Sequence, residues 1–258
     1  MKKKIAIITG ASSGLGREFA RGLDEKEKLD EIWAIARREE LLDELCSQVS
    51  TSLRPIPLDL TQKESFEVLH SLLQEEEPDV RYLINAAGFG KIGSWKDISL
   101  QDCDDMIDLN CRAAVDLTQL ALPYMSKGTR ILEICSTAAF QPFPYLNVYS
   151  ASKAFLYRYS RALRIELFGE GIHVTAVCPY WIKDTEFIDT AKKTADSSYI
   201  RHFPLASREK TVVRHALIDA GLGVPVSTPG IVCTLHRIAA KFIPGEIMMG
   251  IWALLRRI

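Results

Sequence analysis

The sequence has no long hydrophobic run and no excess of charge of either sign. Lys and Arg number 32 and Asp and Glu number 33, a net charge of −1 at pH 7 with His neutral. This balance argues against a nucleic-acid partner or an electrostatically bound membrane. The apolar run at 5–8 is too short for the core of a signal peptide, and no stretch is long enough to span a membrane. Any partner must therefore be inferred from particular sites.

Metal-ligand patterns are also missing. The six cysteines form no C-x-x-C pair and have no histidine at ligand spacing; they are Cys46, Cys103, Cys111, Cys135, Cys178 and Cys233. A bound metal and a disulfide framework are therefore not expected. Reduced thiols and a cytoplasmic location are the prediction.

Hydrophobic residues make up 47% of the 258 residues and charged residues 25%, as in an ordinary globular protein. Short apolar runs predict strands at 5–9, 32–36, 54–58, 82–85, 130–135, 173–178 and 224–227. Helical spacing predicts helices at 14–24, 39–49, 63–76, 100–125, 148–168, 209–220, 231–242 and 245–257. This alternation is typical of an α/β protein with a doubly wound parallel sheet, the Rossmann fold. Without a linker or repeat, residues 1–258 are predicted to form a single domain.

Two segments depart from the alternation. Residues 179–208 show no clear periodicity, and we interpret them as a substrate loop. Residues 231–258 form a C-terminal helical extension whose last helix is apolar and ends in Arg256 and Arg257. A lid, a subunit contact, an interfacial membrane helix or packing on the chain's own core would each use such a segment. Subunit contact or self-packing is favoured over membrane attachment, and a homodimer or homotetramer is expected.

A glycine-rich turn follows the first predicted strand. Glycines let the backbone turn tightly and approach a ligand, and the next helix offers free N–H groups to a pyrophosphate. The predicted contacts are Gly10, Ser12, Ser13, Gly14, Leu15 and Gly16. The alternative is a turn that merely packs helix on strand.

Arginines stand where the second strand of a dinucleotide site would carry an acid. A carboxylate there binds the ribose hydroxyls of NAD, whereas a guanidinium pairs with the 2′-phosphate of NADP. Arg37 and Arg38 therefore predict NADP(H). The alternative is that they begin a solvated helix face.

Tyr149 and Lys153 are candidates for proton chemistry. At i and i+4 of a helix they share one face, so the ammonium is expected to lower the tyrosine pKa. A phenol tuned in this way can protonate a carbonyl oxygen as hydride arrives at the carbon.

Together these motifs resemble the short-chain dehydrogenase/reductase family over roughly residues 4 to 185. Thr9–Gly16 matches the family's T-G-x-x-x-G-x-G turn, and Asp59, with Leu60 beside it, its adenine contact. Residues 85–88, which are Asn85, Ala86, Ala87 and Gly88, match its N-x-A-G segment. Asn110 matches the asparagine of the long helix, and Ser136 lies thirteen residues before Tyr149, as in the family.

The resemblance implies a role for each of these residues. Tyr149 would be the general acid in reduction, and Lys153 would hold the cofactor ribose and depress the tyrosine pKa. Ser136 would bond the carbonyl oxygen, and Asn110 would position a water linking Lys153 to solvent.

The sequence departs from the family pattern after the sixth strand. Pro179 is followed by Tyr180 instead of glycine, and Thr185 lies six residues after the proline instead of five. Either the loop is repacked, with Tyr180 or Trp181 lining the site, or Ile182 supplies the backbone contact to the cofactor alone.

Aromatic residues are frequent in the loops that follow the strands. These are Phe89, Trp95, Phe140, Phe143, Tyr145, Tyr180 and Trp181. Five of them are assigned to substrate binding: Phe89, Phe140, Phe143, Tyr180 and Trp181. They favour a bulky apolar ketone, steroid-like or 3-oxoacyl, and the alternative is that several belong to the local core.

The expected function is hydride transfer between NADP(H) and a carbonyl or alcohol carbon, with reduction favoured by cellular NADPH supply. A sensor or scaffold that binds a dinucleotide without turnover is the alternative. An epimerase or dehydratase is disfavoured because the C-terminal part is short.

Overall fold

Seven parallel strands form one central sheet in the order β3-β2-β1-β4-β5-β6-β7. The computed structural model describes residues 2–203 and 205–255. The strands are Lys4–Thr9 (β1), Glu31–Ala36 (β2), Leu53–Pro57 (β3), Asp79–Asn85 (β4), Met125–Ile134 (β5), His173–Val177 (β6) and Val226–Ser227 (β7). From β1 the chain first proceeds to one edge and then, from β4, to the other. The reversal between β1 and β4 is where such sheets bind ligands.

Helices connect the strands and cover both faces of the sheet. The α-helices are Gly14–Lys26 (α1), Glu39–Cys46 (α2), Glu64–Glu76 (α3), Leu100–Ile107 (α4), Ala113–Ala121 (α5), Asn147–Glu166 (α6), Phe187–Ala191 (α7), Glu209–Gly221 (α8), Ile231–Phe242 (α9) and Gly245–Leu255 (α10). A π-helical turn, Asp108–Arg112, joins α4 to α5, and 3₁₀ turns occupy Leu122–Tyr124, Thr137–Ala139 and Phe168–Glu170.

The pleat of β1 explains the two hydrophobic layers. Ile5 and Ile7 point to the side covered by α3, α5 and α6, while Ala6 and Ile8 point to the side covered by α1, α2 and α8. All four side chains are at most 1% exposed. A strand buried on both faces reads as a continuous apolar run, which is the pattern that identified it.

The predicted doubly wound α/β fold in a single domain is confirmed, and the predictions for two segments are corrected. The helix predicted over 100–125 contains the π-helical turn and ends at Ala121, because Pro123 enters a 3₁₀ turn and β5 begins at Met125. The segment 179–208, predicted without periodicity, contains α7 and a bridge between Ile182 and Ser207.

The C-terminal helices pack on the protein with one side only. Trp252 meets Phe143 edge-on, with ring centres 4.9 Å apart, and His236 bonds Gln141. The outer face of α9 carries four exposed apolar side chains at helical spacing, Ile231, Leu235, Ile238 and Phe242. Self-packing therefore accounts for part of this segment. Arg256, Arg257 and Ile258 lie outside the described residues. Within 2–203 and 205–255, no helix combines the length and apolarity needed to cross a membrane.

Candidate active site

A cleft of about 1040 Å³ lies at the carboxyl ends of the strands. Predicted cofactor residues that line it are Gly10, Ser12, Ser13, Gly14, Leu15, Gly16, Arg37, Arg38, Asp59, Leu60, Ala86, Ala87, Gly88, Tyr149, Lys153, Pro179, Ile182 and Thr185. These residues are far apart in the sequence, and the parallel sheet brings them together because it aligns the ends of its strands.

The glycine turn forms a cradle that side chains would fill. At Gly10, where φ is +68°, a Cβ atom would lie 2.9 Å from the Ala87 nitrogen. At Gly16 it would lie 2.3 Å from the Gly10 oxygen. Ser13 precedes α1 without a capping hydrogen bond from its side chain, so the first N–H groups of the helix stay open to a ligand. The cradle therefore fits the pyrophosphate of a dinucleotide.

Two arginines stand at the end of β2. Arg38 donates through Nη2 to the Ser13 hydroxyl at 2.9 Å and forms a bidentate pair with Glu186, at 2.9 and 3.1 Å. Arg37 is more exposed, and its Nη1 lies 3.9 Å from Asp59. This side of the cleft holds the cationic donors that a 2′-phosphate requires. Glu186, in the predicted substrate loop 179–208, pairs with Arg38, and the sequence did not indicate this contact.

Asn85 is a correction to the predicted cofactor set. Its side chain turns away from the cleft to the opposite face of β4, where Nδ2 donates to Thr118 Oγ1 at 3.0 Å and to Glu133 Oε1 at 2.9 Å. Successive side chains of a strand point to opposite faces of the sheet, and Asn85 points to the face covered by α5. The following residues, 86–88, line the cleft.

Ser136, Tyr149 and Lys153 meet at the centre of the cleft. Ser136 follows β5, and its hydroxyl is close enough to the Tyr149 phenol to act on its pKa. Lys153 Nζ donates to the Ile134 carbonyl at 2.7 Å and lies 5.9 Å from the centre of the Tyr149 ring. All three line the cleft, and Tyr149 and Lys153 are 7% and 5% exposed.

The pKa of Tyr149 departs from the sequence expectation. Burial raises it to about 12, and the hydrogen bond from Ser136 opposes this rise. Burial likewise lowers the pKa of Lys153. The ammonium points to the main chain of β5, so in this arrangement the expected lowering of the tyrosine pKa by Lys153 does not dominate.

Asn110 lies in the π-helical turn, beside the cleft but not on its surface. Its amide donates to the Phe89 carbonyl at 2.9 Å and to Ser152 Oγ at 3.0 Å, and its Oδ1 accepts from the Phe89 N–H at 3.0 Å. These bonds tie the segment after β4 to α6. A Cβ atom on Gly88 would lie 2.7 Å from this Oδ1 and 3.3 Å from Lys153 Nζ, so the asparagine stands close to the lysine.

Four of the five predicted substrate aromatics line the cleft: Phe89, Phe143, Tyr180 and Trp181. Phe140 does not, because it packs edge-on against Tyr157 and His236 under α9. Of the other loop aromatics, Trp95 is 76% exposed and Tyr145 stacks on Tyr199.

Two residues beside the tyrosine escaped the sequence reasoning. Phe187 opens α7, with its ring centre 5.4 Å from that of Tyr149. At Gly90 a Cβ atom would lie 2.8 Å from Tyr149 Cδ2, so this glycine makes room for the ring. The aromatic content of 179–208 was a signal for Phe187. Its place beside Tyr149, however, depends on the tertiary packing of that segment against α6.

Thr185 lies against the glycine turn. A Cβ atom on Gly14 would lie 3.3 Å from its methyl group, and its hydroxyl bonds within its own loop, to the Ile182 carbonyl at 3.4 Å. Tyr180 and Trp181 both line the cleft, as expected for a repacked loop. In the described part of the chain, no group of three metal-binding side chains occurs.

Comparisons with known proteins agree with this geometry. A family model described as short chain dehydrogenase matches residues 4–196. An NADP-dependent 3-hydroxy acid dehydrogenase of Salmonella typhi is 31% identical over 195 residues, 74% of this chain and 78% of the relative.

Two solved structures share the fold over nearly the whole chain. A short-chain dehydrogenase from Sphingobium yanoikuyae in complex with NADPH has a TM-score of 0.79 and 25% identity, covering 95% of each chain. The bulky-bulky ketone specific alcohol dehydrogenase from Comamonas testosteroni has a TM-score of 0.73 and 25% identity, covering 100% of this chain and 96% of the other. With its glycine cradle and its Ser136, Tyr149 and Lys153 cluster, this chain belongs to the short-chain dehydrogenase family of oxidoreductases.

Proposed function

We propose that this protein is an NADPH-dependent reductase of bulky apolar ketones. One observation carries the proposal: Ser136 and Tyr149 line a single cleft together with aromatic side chains and with Arg37 and Arg38. The aromatic side chains suit an apolar substrate, and the two arginines suit a phosphorylated dinucleotide.

The cofactor assignment is supported by charge and by the relatives. The Salmonella relative is named as NADP-dependent and the Sphingobium neighbour was solved with NADPH. In this chain the glycine cradle would hold the pyrophosphate, and Arg38 with Arg37 would pair with the 2′-phosphate. Lys153 would bond the ribose beside the nicotinamide. When bound, NADPH supplies the hydride that the reaction needs.

The chain's own part in the chemistry is proton transfer. Ser136 donates a hydrogen bond to the carbonyl oxygen of the substrate, which increases the positive charge on the carbonyl carbon. Tyr149 then delivers its phenolic proton to the same oxygen. Because the pKa of Tyr149 is raised to about 12, mainly by burial, the resting phenol is protonated at neutral pH and ready to act as an acid. Asn110 holds the segment after β4 against α6 and so fixes the position of the tyrosine.

The substrate class is inferred from the wall of the cleft. Phe143, Trp181 and Phe187 belong to the same hydrophobic cluster as the tyrosine, and Tyr180 lines the same cleft. The Comamonas neighbour is described as specific for bulky-bulky ketones, which supports the same class here. A bulky ketone would bury more apolar surface in the cleft than a small ketone and would therefore bind more tightly.

The exposed stripe of α9 supports a subunit contact. Its four apolar side chains lie within one face of the helix, which follows the short edge strand β7 in the chain. We propose that a second copy of the chain covers this stripe, giving a homodimer or homotetramer. The six free cysteines support a reducing, cytoplasmic compartment.

Replacing Tyr149 with phenylalanine should reduce kcat by about 10²- to 10⁴-fold, because the acid is lost while the ring packing stays. Turnover of NADPH with a ketone that the wild type reduces is the measurement. Tyr157→Phe on the same helix is the matched control and should keep near wild-type activity. Near wild-type turnover by Tyr149→Phe, or NADPH binding without turnover of any ketone by the wild type, would favour the sensor or scaffold.

Arg38→Ala should weaken NADPH binding by about tenfold or more and leave NADH binding little changed, since only NADPH carries the 2′-phosphate. Arg37→Ala should have a smaller effect because Arg37 is more exposed. Reduced-nicotinamide fluorescence gives both dissociation constants. Arg158→Ala, an exposed arginine of α6, is the control. Equal losses for the two cofactors would contradict the assignment.

Substrate size is tested with a series of ketones of increasing apolar bulk. We expect kcat/KM to rise by at least about tenfold from a small aliphatic ketone to a bulky aromatic or alicyclic one, because one added buried CH₂ group is worth about 0.8 kcal/mol. Trp181→Ala should reduce this preference and leave the small ketone unaffected. A flat series would overturn the proposed class.

Leu235→Glu should convert the oligomer to monomer, because a carboxylate in a buried apolar contact is unfavourable. Light scattering after size-exclusion chromatography measures the mass. Leu222→Glu, also at a highly exposed leucine but outside α9, is the control and should leave the mass unchanged. A monomeric wild type, or an unchanged oligomer in Leu235→Glu, would refute the contact.

A further inference from the structure

A buried glutamate lies under the active site and has no part in the chemistry described so far. Glu133 is in β5, three residues before Ser136, and its side chain is 0% exposed. Its Oε1 accepts from Asn85 Nδ2 at 2.9 Å and from the Thr118 hydroxyl at 3.3 Å. In the described part of the chain, its Oε2 and the Asn85 Oδ1 have no hydrogen-bond partner. A buried carboxyl without full hydrogen bonding needs an explanation.

The pleat of β5 directs this carboxyl to the face of the sheet that α5 and α6 cover. Ile134 packs on the side of α1 and α8, so Glu133 points to the opposite side, where α5 and α6 lie. Lys153 is on α6, and its Nζ bonds the carbonyl of Ile134, the next residue in the strand. The acid and the ammonium therefore share one buried region, where charges interact more strongly than in water.

Three elements besides β5 contribute titratable or polar groups near Glu133: α6, β4 and α5. Lys153 and Tyr159 face it from α6, and Cys135 follows it on β5. β4 contributes the Asn85 amide and α5 the Thr118 hydroxyl. Lys153 is the cation in this set, so ionised Glu133 has one group to stabilise by charge.

We propose that Glu133 is a positioning residue for the reductase reaction. Its carboxylate stabilises the ammonium form of Lys153, so the Lys153 and Tyr149 pair loses protons only at higher pH. The proposal rests on the proposed function. Burial raises the pKa of Glu133 to about 7, and the bonds from Asn85 and Thr118 together with the charge of Lys153 oppose this rise. The carboxylate thus forms as the pH passes through neutrality.

The test is the pH profile of ketone reduction by Glu133→Gln, which keeps the shape and removes the charge. Below neutrality wild-type Glu133 is protonated, so the two proteins should have similar kcat. Above neutrality the variant should lose activity earlier, with its alkaline limb displaced by about one pH unit, or about tenfold at a pH on that limb. Removal of a nearby negative charge favours loss of a proton, which sets this direction.

Thr118→Val is the control, because it removes one bond to Glu133 and keeps the charge; its alkaline limb should coincide with that of wild type. A uniform loss of activity at every pH in Glu133→Gln would indicate a merely structural role and overturn the proposal, as would an unchanged limb. Wild-type turnover is measured first, so failure of the proposed reductase function is seen separately.

Infrared spectroscopy of the wild type covers the case in which Glu133→Gln does not fold. A protonated-carboxyl band should disappear between about pH 6 and pH 8, where carboxyl groups with ordinary pKa values are already ionised. A band that persists above pH 8 would overturn the proposal even if the variant cannot be made, because an uncharged Glu133 cannot stabilise the Lys153 ammonium.

Discussion

A buried ammonium group joins the longest helix to the central sheet, and the active site depends on it. A charge taken out of water is costly unless it has a partner, and Lys153 finds one in the carbonyl of Ile134 at 2.7 Å. This bond ties α6 to the end of β5. Tyr149 is one turn away on the same helix and Ser136 just beyond the same strand, so the bond also brings the two hydroxyls together.

The second constraint is close approach between backbones at the reversal of the sheet. Gly10 and Gly16 let the turn after β1 contact the segment after β4 and the start of α1 without Cβ atoms between them. Thr9 strengthens this contact, since its hydroxyl accepts from the N–H groups of Ala86 and Ala87 at 3.0 and 2.9 Å. The result is a cleft floor made of main chain, which can approach a ligand closely.

Residues whose positions are fixed by a turn, a strand end or the repeat of a helix were predictable from the sequence. The glycine turn, the arginines after β2 and the Tyr149 and Lys153 pair all line one cleft, because a parallel sheet leaves little choice about where strand ends meet. Asn85 and Phe140 were misplaced for two different reasons. Asn85 belongs to the last position of a strand, where the pleat decides the side, and Phe140 is drawn under α9 by Tyr157 and His236.

Local pattern thus accounted for the order of strands and helices and for the glycine cradle, because those features depend on neighbours within one turn or one strand. The assignment of Ser136 came from the resemblance to the family. The pairing of Arg38 with Glu186, separated by 148 residues, and the burial of Glu133 between α5 and α6 required the folded chain. The same holds for the pKa of Tyr149. Burial and long-range charge are sums over groups that meet only after the sheet has formed, and spacing along the chain carries no record of them.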